Sequence, residues 1–159
     1  MNLIILFIMS VTVSTTLVIK SSAFQDNEFI SSKYTCDGVN VNPDISIGEI
    51  PKNTKSLAII VDDPDAPNGT FCHWLMWDIS PKISIKEDSA PGTQGRNSFG
   101  ENKYNGPCPP SGRHHYHFKV YALDTRLSSL PSSTDKKGLE QAMNNHIIAW
   151  GEIVGLYKR

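Results

Sequence analysis

Three of the five histidines lie within four consecutive positions, where a loop rich in proline and glycine passes into an apolar run. His114, His115 and His117 follow the turn sequence GPCPPSG and precede VYALD. Side chains alternate between the two faces of a strand, so His114 and Tyr116 share the face that becomes apolar, whereas His115 and His117 share the other. A polar pair at the mouth of an apolar face is typical of a small-ligand pocket. We therefore expect His114 and Tyr116 to line a binding pocket.

A second polar group, DDPDAP, ends an apolar run earlier in the chain. Asp62, Asp63 and Asp65 are close enough to influence one another, and the two prolines stiffen the turn. A plain turn that ends a strand is an equally good interpretation, because Asp and Pro dominate turns. His73 follows and begins the apolar run WLMWDI. It is either a hydrogen-bonded core histidine or a partner of the aspartates, and a carboxylate would fix its tautomer and favour its charged form.

Other chemistries have weaker support. His115 and His117 share their face with Lys119, which repels cations, so we expect no metal site and no cofactor. The chain has no G-x-S-x-G motif. Cys108 lies between two prolines, with no helix N-terminus to lower its pKa. A hydrolase that uses Cys108 or a His–Asp pair therefore stays an alternative, and we expect no enzyme.

Size and charge limit the function classes. A chain of 159 residues is long enough for one domain with a proper core. It carries 15 basic and 16 acidic residues, a net charge of −1. This balance gives no electrostatic basis for binding nucleic acid.

The N-terminal segment differs from the rest, because Met1–Ile19 contains no charged side chain. Its apolar run is too short to form a stable membrane span. Residues 1–16 are predicted to be a signal peptide, and residues 17–159 the functional domain. The expected location is periplasmic or secreted, with a cytoplasmic location as the alternative.

The three cysteines show no CxxC spacing, which argues against a zinc site or a redox motif. Cys36 and Cys108 lie in loop-like sequence, whereas Cys72 begins a predicted strand. In an exported protein, Cys36–Cys108 is the favoured disulfide, although spacing alone does not determine connectivity.

Short strands separated by turns dominate the pattern after Lys20. The predicted strands are Ser56–Asp62, His73–Ile79, His117–Leu123 and Ile153–Tyr157. Residues 136–145 fit one amphipathic helix, capped near Asp135. The expected class is mostly β, a sandwich or barrel-like sheet with one or two peripheral helices.

These motifs together resemble a known family. DPDAP at Asp63–Pro67, His73 and GxHxY at Gly112–Tyr116 resemble the phosphatidylethanolamine-binding protein family, which includes the Raf kinase inhibitor proteins. YTCDG, GPCPP and the tail HIIAWGEIVGLYKR resemble its bacterial and archaeal branch, called Raf-kinase-inhibitor-like. The resemblance covers residues 17–159, nearly the whole chain.

The resemblance implies a β-sandwich-like fold with a pocket for phosphate, a phospholipid head group or a related small anion. The positions that match the pocket of the family are Asp63, Asp65, Pro67, His73, Gly106, His114 and Tyr116. The expected function is small-anion binding in a regulatory role, and the alternative that the family implies is inhibition of a protease or kinase. Expected partners are the anion, a protein partner and a second copy in a homodimer.

Overall fold

The computed structural model describes residues 15–159 and contains ten strands, one α-helix and a short 3-10 turn. The strands are β1 (Thr15–Thr16), β2 (Val18–Lys20), β3 (Glu28–Phe29), β4 (Ile45–Gly48), β5 (Ser56–Asp63), β6 (Phe71–Ile79), β7 (Ser84–Ile85), β8 (Thr93–Gln94), β9 (Arg113–Leu123) and β10 (Ile147–Lys158). The helix α1 is Lys136–Met143 and the 3-10 turn is Ser32–Tyr34. The predicted signal peptide stays a prediction, because residues 1–14 lie outside the described part of the chain.

The strands form two sheets. The larger sheet has the order β1-β10-β9-β5-β6-β8, with β3 also paired to β10, and the smaller has the order β2-β4-β7. The long neighbours β10, β9, β5 and β6 are antiparallel. The mostly β class is confirmed, and neither sheet closes into a barrel within residues 15–159. β9 and β10 extend further toward the N-terminus than the apolar runs predicted, because the polar histidines and Trp150 also join the ladder.

The main core lies between the sheets. Alternation along β9 buries His114, Tyr116 and Phe118, whereas His115 and His117 are only partly buried on the opposite face. Phe118 packs with Trp74 of β6 and with the isoleucines of the smaller sheet. The predicted division of the histidine cluster between two faces is therefore confirmed.

The helix covers part of the outer face of the larger sheet. Asp135 caps its N-terminus by accepting a hydrogen bond from the Gly138 backbone amide. Leu139 and Met143, four residues apart, are buried in a second core. The helix ends at Met143, two residues before the predicted end, because the next residue is extended and Asn145 is left-handed. In the described part of the chain, no helix is long and apolar enough to cross a membrane.

A disulfide joins Cys36 to Cys108, the pair that the sequence favours. It ties the loop after the 3-10 turn to the GPCPP loop before β9. Cys72 is a free, buried thiol, and burial raises its pKa to about 12. The thiolate, which is the reactive form, is therefore scarce at neutral pH.

Candidate functional site

A cavity of about 340 Å³ opens where β5 ends and where β6 and β9 begin. Three loops complete its wall: residues 64–70, the GPCPP loop and the loop that carries Phe99. The lining residues are Asp63, Ala66, Pro67, Asn68, Gly69, Thr70, Phe71, His73, Phe99, Cys108, Pro109, Pro110 and His114. Four of the predicted site residues, Asp63, Pro67, His73 and His114, therefore meet at one cavity.

Asp63 and His114 form a buried pair in the cavity wall. Asp63 is the last residue of β5, and His114 lies on the inward face of the neighbouring strand β9. The His114 Nδ1 atom lies 2.7 Å from Asp63 Oδ2, and the side chains are only 9% and 4% exposed. The second Asp63 oxygen, Oδ1, accepts a hydrogen bond from the Asp65 backbone amide. Both carboxylate oxygens are therefore used within the protein.

His73 faces the same cavity from β6. Its Nδ1 atom lies 2.7 Å from the Asn105 carbonyl oxygen. Burial lowers the pKa of His73, and the hydrogen bond to Asn105 offsets only part of that effect. Burial disfavours the charged form of a histidine, so this imidazole is neutral near pH 7. Within residues 15–159 no hydrogen bond engages the Nε2 atom of His73 or of His114.

The Tyr116 ring packs against both imidazoles. Its ring centroid lies 5.2 Å from that of His73 in an edge-to-face arrangement and 6.5 Å from that of His114. Its hydroxyl is buried and has no hydrogen-bond partner among the described residues. Burial raises the pKa of Tyr116, and the negative charge of Asp63 adds to the effect. The hydroxyl therefore keeps its proton, and Tyr116 is not itself a lining residue of the cavity.

Gly106 also lies behind the cavity lining. A Cβ atom at this position would overlap the Tyr34 carbonyl oxygen, so only glycine fits. The Gly106 amide donates a hydrogen bond of 2.8 Å to the Asn40 side chain. Gly106 thus allows the segment between Asn105 and Cys108 to pack closely against Tyr34. Its effect on the cavity is indirect, because its neighbour Cys108 is a lining residue.

Asp65 lies outside the cavity, on the opposite side of the turn. Its Oδ2 atom accepts hydrogen bonds from both the backbone amide and Nδ1 of His115, at 2.8 and 2.6 Å. The His115 side chain is 39% exposed and that of Asp65 is 41% exposed. Asp62 points away as well and pairs with Lys119 on the outer face. The three clustered aspartates therefore have three different partners, and of the three only Asp63 lines the cavity.

Sequence reasoning missed the aromatic part of the wall. The Phe71 ring contacts those of Phe99 and His73, with centroids 4.8 and 5.2 Å away. Phe71 could have been found, because it precedes His73 by two positions in a strand and shares its face. Phe99 gives no such signal, since its loop position depends on distant contacts. The result is a cavity with an apolar rim and two imidazoles inside.

The described residues include no group of three or more His, Cys, Asp or Glu side chains placed to hold a metal. No lysine or arginine belongs to the lining of the cavity. The groups that the lining presents are therefore the two imidazoles, the Asp63 carboxylate, backbone groups and the aromatic rim.

The buried His73 should make the protein less stable in mild acid. Its folded pKa lies below the unfolded value of about 6.5, so the unfolded chain binds the proton more readily. This contribution to stability is present above pH 6.5 and is lost as the pH falls toward the folded pKa. We expect the free energy of unfolding to decrease less between pH 7 and pH 5 in His73→Asn than in the wild type. Asparagine keeps a donor near the Nδ1 position but does not titrate.

Denaturant unfolding at the two pH values measures this difference. His146→Asn is the control, because His146 pairs with Asp124 at the surface and is 45% exposed. If the free energy of unfolding decreases between pH 7 and pH 5 by the same amount in His73→Asn as in the wild type, the pKa of His73 is not lowered by folding.

Comparisons with known proteins agree with this fold. Residues 20–158 match the family model described as phosphatidylethanolamine-binding protein. A UPF0098 protein of Pyrococcus horikoshii is 54% identical over 150 residues, which cover 87% of this chain and 75% of the relative. A UPF0098 protein of Methanothermobacter thermautotrophicus is 42% identical over 149 residues, covering 89% of this chain and 98% of the relative.

Two crystal structures are similar in fold. One is a phosphatidylethanolamine-binding protein homolog from Chlamydia trachomatis, with a TM-score of 0.86, 38% identity and coverage of 92% of this chain and 99% of that one. The other is YbcL of Escherichia coli, described as a member of the mammalian PEBP family, with a TM-score of 0.83, 30% identity and coverage of 90% and 98%. The family model and both relatives cover most of the chain, and the chain belongs to the phosphatidylethanolamine-binding protein family.

Proposed function

We propose that the cavity binds a small oxyanion, such as phosphate or the phosphorylated head group of a lipid, and that the protein acts by binding rather than by catalysis. The observation that carries this proposal is the pair of buried imidazoles, His73 and His114, whose Nδ1 atoms are held by protein acceptors. Their Nε2 atoms are left for a ligand. The names of the family and of the Chlamydia trachomatis homolog point to the same class of ligand.

The shape of the cavity supports a small ligand. A volume of about 340 Å³ lies at the lower end of the range for small-molecule sites. Phe71, Phe99 and the prolines of the GPCPP loop form an apolar rim. Hydrogen bonds that involve a charged partner are strong when the surroundings exclude water. A few polar groups on the floor are therefore enough to hold an anion.

A catalytic role has less support. Cys108 lines the cavity but is part of the disulfide, so it has no thiol to act as a nucleophile. The Asp63–His114 pair resembles the base of a catalytic triad, but a triad also needs a nucleophile hydrogen-bonded to the imidazole. No described hydroxyl or thiol hydrogen-bonds Nε2 of His114. The pair is better suited to position His114 toward a bound ligand.

Replacing His114 should weaken anion binding selectively. In His114→Asn, the amide can still donate to Asp63 from near the Nδ1 position, but the Nε2 atom is removed. We expect affinity for phosphate or phosphoethanolamine to fall at least about tenfold, because a hydrogen bond to a charged group contributes about 1.5–3 kcal/mol. Calorimetric titration with phosphate, phosphoethanolamine and citrate measures the change.

His115→Asn is the matched control. His115 is the next residue in β9 and also pairs with an aspartate, but it lies outside the cavity. This variant should bind as the wild type does. If none of the three anions binds the wild type, or if both variants lose affinity equally, the cavity is not the anion site.

A further inference from the structure

The chain contains two Asn-Gly pairs, Asn68–Gly69 and Asn105–Gly106. An asparagine side chain that precedes glycine can react with the backbone, because glycine has no Cβ atom to hinder the approach of its own nitrogen. The two pairs consist of the same residue types but have opposite surroundings in the fold. This difference decides which of the two asparagines can react.

Asn68–Gly69 lies in an open turn at the cavity. The turn runs from Ala66 to Gly69, and both residues of the pair are exposed. Among residues 15–159, no hydrogen bond engages the Asn68 side chain. The Gly69 amide makes one hydrogen bond, of 3.2 Å, to the Ala66 carbonyl oxygen. A Cβ atom at Gly69 would have no neighbour within 4 Å, so the space beside this residue is open.

Asn105–Gly106 is held in place by its neighbours. The Asn105 Nδ2 atom donates a hydrogen bond of 2.7 Å to Glu101. The Gly106 amide donates one of 2.8 Å to Asn40 Oδ1. Gly106 is buried, and a Cβ atom there would overlap the Tyr34 carbonyl oxygen. The Gly106 nitrogen therefore cannot approach the Asn105 side chain without breaking its own hydrogen bond and the packing against Tyr34.

We propose that Asn68 is a site of spontaneous deamidation and that Asn105 is protected from it by the fold. The Gly69 backbone nitrogen loses its proton to hydroxide and attacks the Cγ atom of Asn68. A bond forms between these two atoms, and the bond from Cγ to the side-chain nitrogen breaks. That nitrogen takes up a proton from water and leaves as ammonia. Water then opens the succinimide ring at either carbonyl, which gives aspartate or isoaspartate.

Either product puts a new carboxylate into the cavity wall. Asn68 is a lining residue, and the lining already contains the Asp63 carboxylate but no lysine or arginine. Isoaspartate also adds one methylene group to the backbone of the turn. The consequence for binding rests on the proposed anion-binding function, because a second negative charge repels an oxyanion in the cavity. Deamidation then lowers the affinity of the site as the protein ages.

Peptide mapping by mass spectrometry tests the modification without any ligand. One sample of the wild type is incubated folded and oxidised in mildly alkaline buffer, and another is incubated reduced and unfolded in guanidinium chloride. In the folded protein, Asn68 is expected to deamidate at least about tenfold faster than Asn105, because contacts that keep reacting atoms apart slow a reaction by such factors. In the unfolded chain the two pairs are expected to react at similar rates.

The unfolded sample separates the effect of the fold from that of the local sequence. Equal rates at the two pairs in the folded protein overturn the proposal. A folded Asn68 that does not react, while the unfolded one does, overturns it as well. Reaction at Asn68 alone in the folded protein, and at both pairs in the unfolded chain, supports it.

Calorimetric titration with inorganic phosphate tests the consequence for binding. The affinity of the wild type should fall during incubation toward that of Asn68→Asp, which is expected to bind about fivefold more weakly than the fresh wild type because like charges a few ångströms apart in water repel. Asn68→Gln is the control for the change with time. Its longer side chain must close a larger ring and reacts much more slowly, so its affinity should stay constant over the same incubation.

The outcomes keep the modification apart from the function. Deamidation of Asn68 without a change in phosphate affinity supports the modification site and overturns its effect on the cavity. A fresh wild type that binds no phosphate counts against the proposed function, whereas the peptide map still decides whether Asn68 reacts. Deamidation confined to Asn68 together with a falling affinity supports both.

Discussion

Removal of the disulfide, in the double variant Cys36→Ser and Cys108→Ser, is expected to lower the free energy of unfolding by about 4 kcal/mol. The bond joins residues 72 positions apart, so it restricts a long loop of the unfolded chain. The entropy that a cross-link removes from the unfolded state grows with loop length, which places this bond near the upper end of the usual range. A loss of this size is a large part of the stability of a typical domain.

Denaturant unfolding of the oxidised wild type and of the double variant measures the loss. Dithiothreitol provides the matched control, because it should destabilise the wild type to a similar extent and leave the double variant unchanged. Cys72 is present in both proteins and buried, so it does not contribute to the difference. Equal stability of the wild type with and without reductant would contradict a stabilising role for the bond.

The same bond is relevant to the site. Cys108, Pro109 and Pro110 all belong to the cavity wall, and Cys36 is the anchor on the other side of the bond. The Cys36 backbone amide also donates to the Pro107 carbonyl, and Gly106 packs against Tyr34. One loop is therefore fixed to another by a covalent bond, a hydrogen bond and close packing, which together hold one side of the cavity in place.

Local periodicity was sufficient to predict the part of the site that lies in β9. Alternation along β9 assigned His114 and Tyr116 to the buried face, and the structure places them there. His73 does not follow this rule. Alternation along β6 would place it with Leu75 and Trp77 of the second core, but the register shift between Trp74 and Cys72 turns it toward the cavity. Strand alternation depends only on the backbone of one segment, so it can be read without knowing what packs against that segment.

The pairing of the acidic residues could not be obtained in this way. From the sequence alone, either Asp63 or Asp65 could pair with His73, His114 or His115. The register between β5 and β6 shifts between Val61 and Asp62, but the extra residue is His73 of β6, so the shift moves a histidine and not the aspartates. Beyond Asp63 the chain leaves the sheet, so alternation no longer applies. The partner of Asp65 then depends on the path of the turn.

Loops limit the prediction for the same reason. Phe99, Pro109 and Pro110 reach the cavity from segments without regular structure. Their positions follow from long-range contacts, such as the hydrogen bond from the Ser98 amide to the Cys72 carbonyl. Such contacts produce no periodic pattern of residue types in the sequence. The β9 part of the site can thus be predicted from the strand pattern, whereas His73 and most of the rim cannot.

Two neighbouring aspartates should differ sharply in their effect on stability. In Asp63→Ala, the Nδ1–H group of His114 is left in a buried position without an acceptor, and the Asp65 backbone amide loses its partner. We expect the free energy of unfolding to fall by about 3 kcal/mol, because breaking a buried pair leaves an uncompensated polar or charged group. Asp65→Ala breaks a pair that is about two-fifths exposed. Water replaces the lost acceptor there, so we expect a loss below about 1 kcal/mol.

Denaturant unfolding at pH 7 compares the two variants, and Asp63→Asn separates charge from hydrogen bonding. The asparagine oxygen can still accept from His114, so this variant should retain more stability than Asp63→Ala. Equal losses for Asp63→Ala and Asp65→Ala would mean that burial adds nothing to the Asp63–His114 pair. A large difference would mean that the buried Asp63–His114 hydrogen bond stabilises the fold and holds the His114 ring in the cavity wall. The stability of the fold and the chemistry of the site would then depend on the same hydrogen bond.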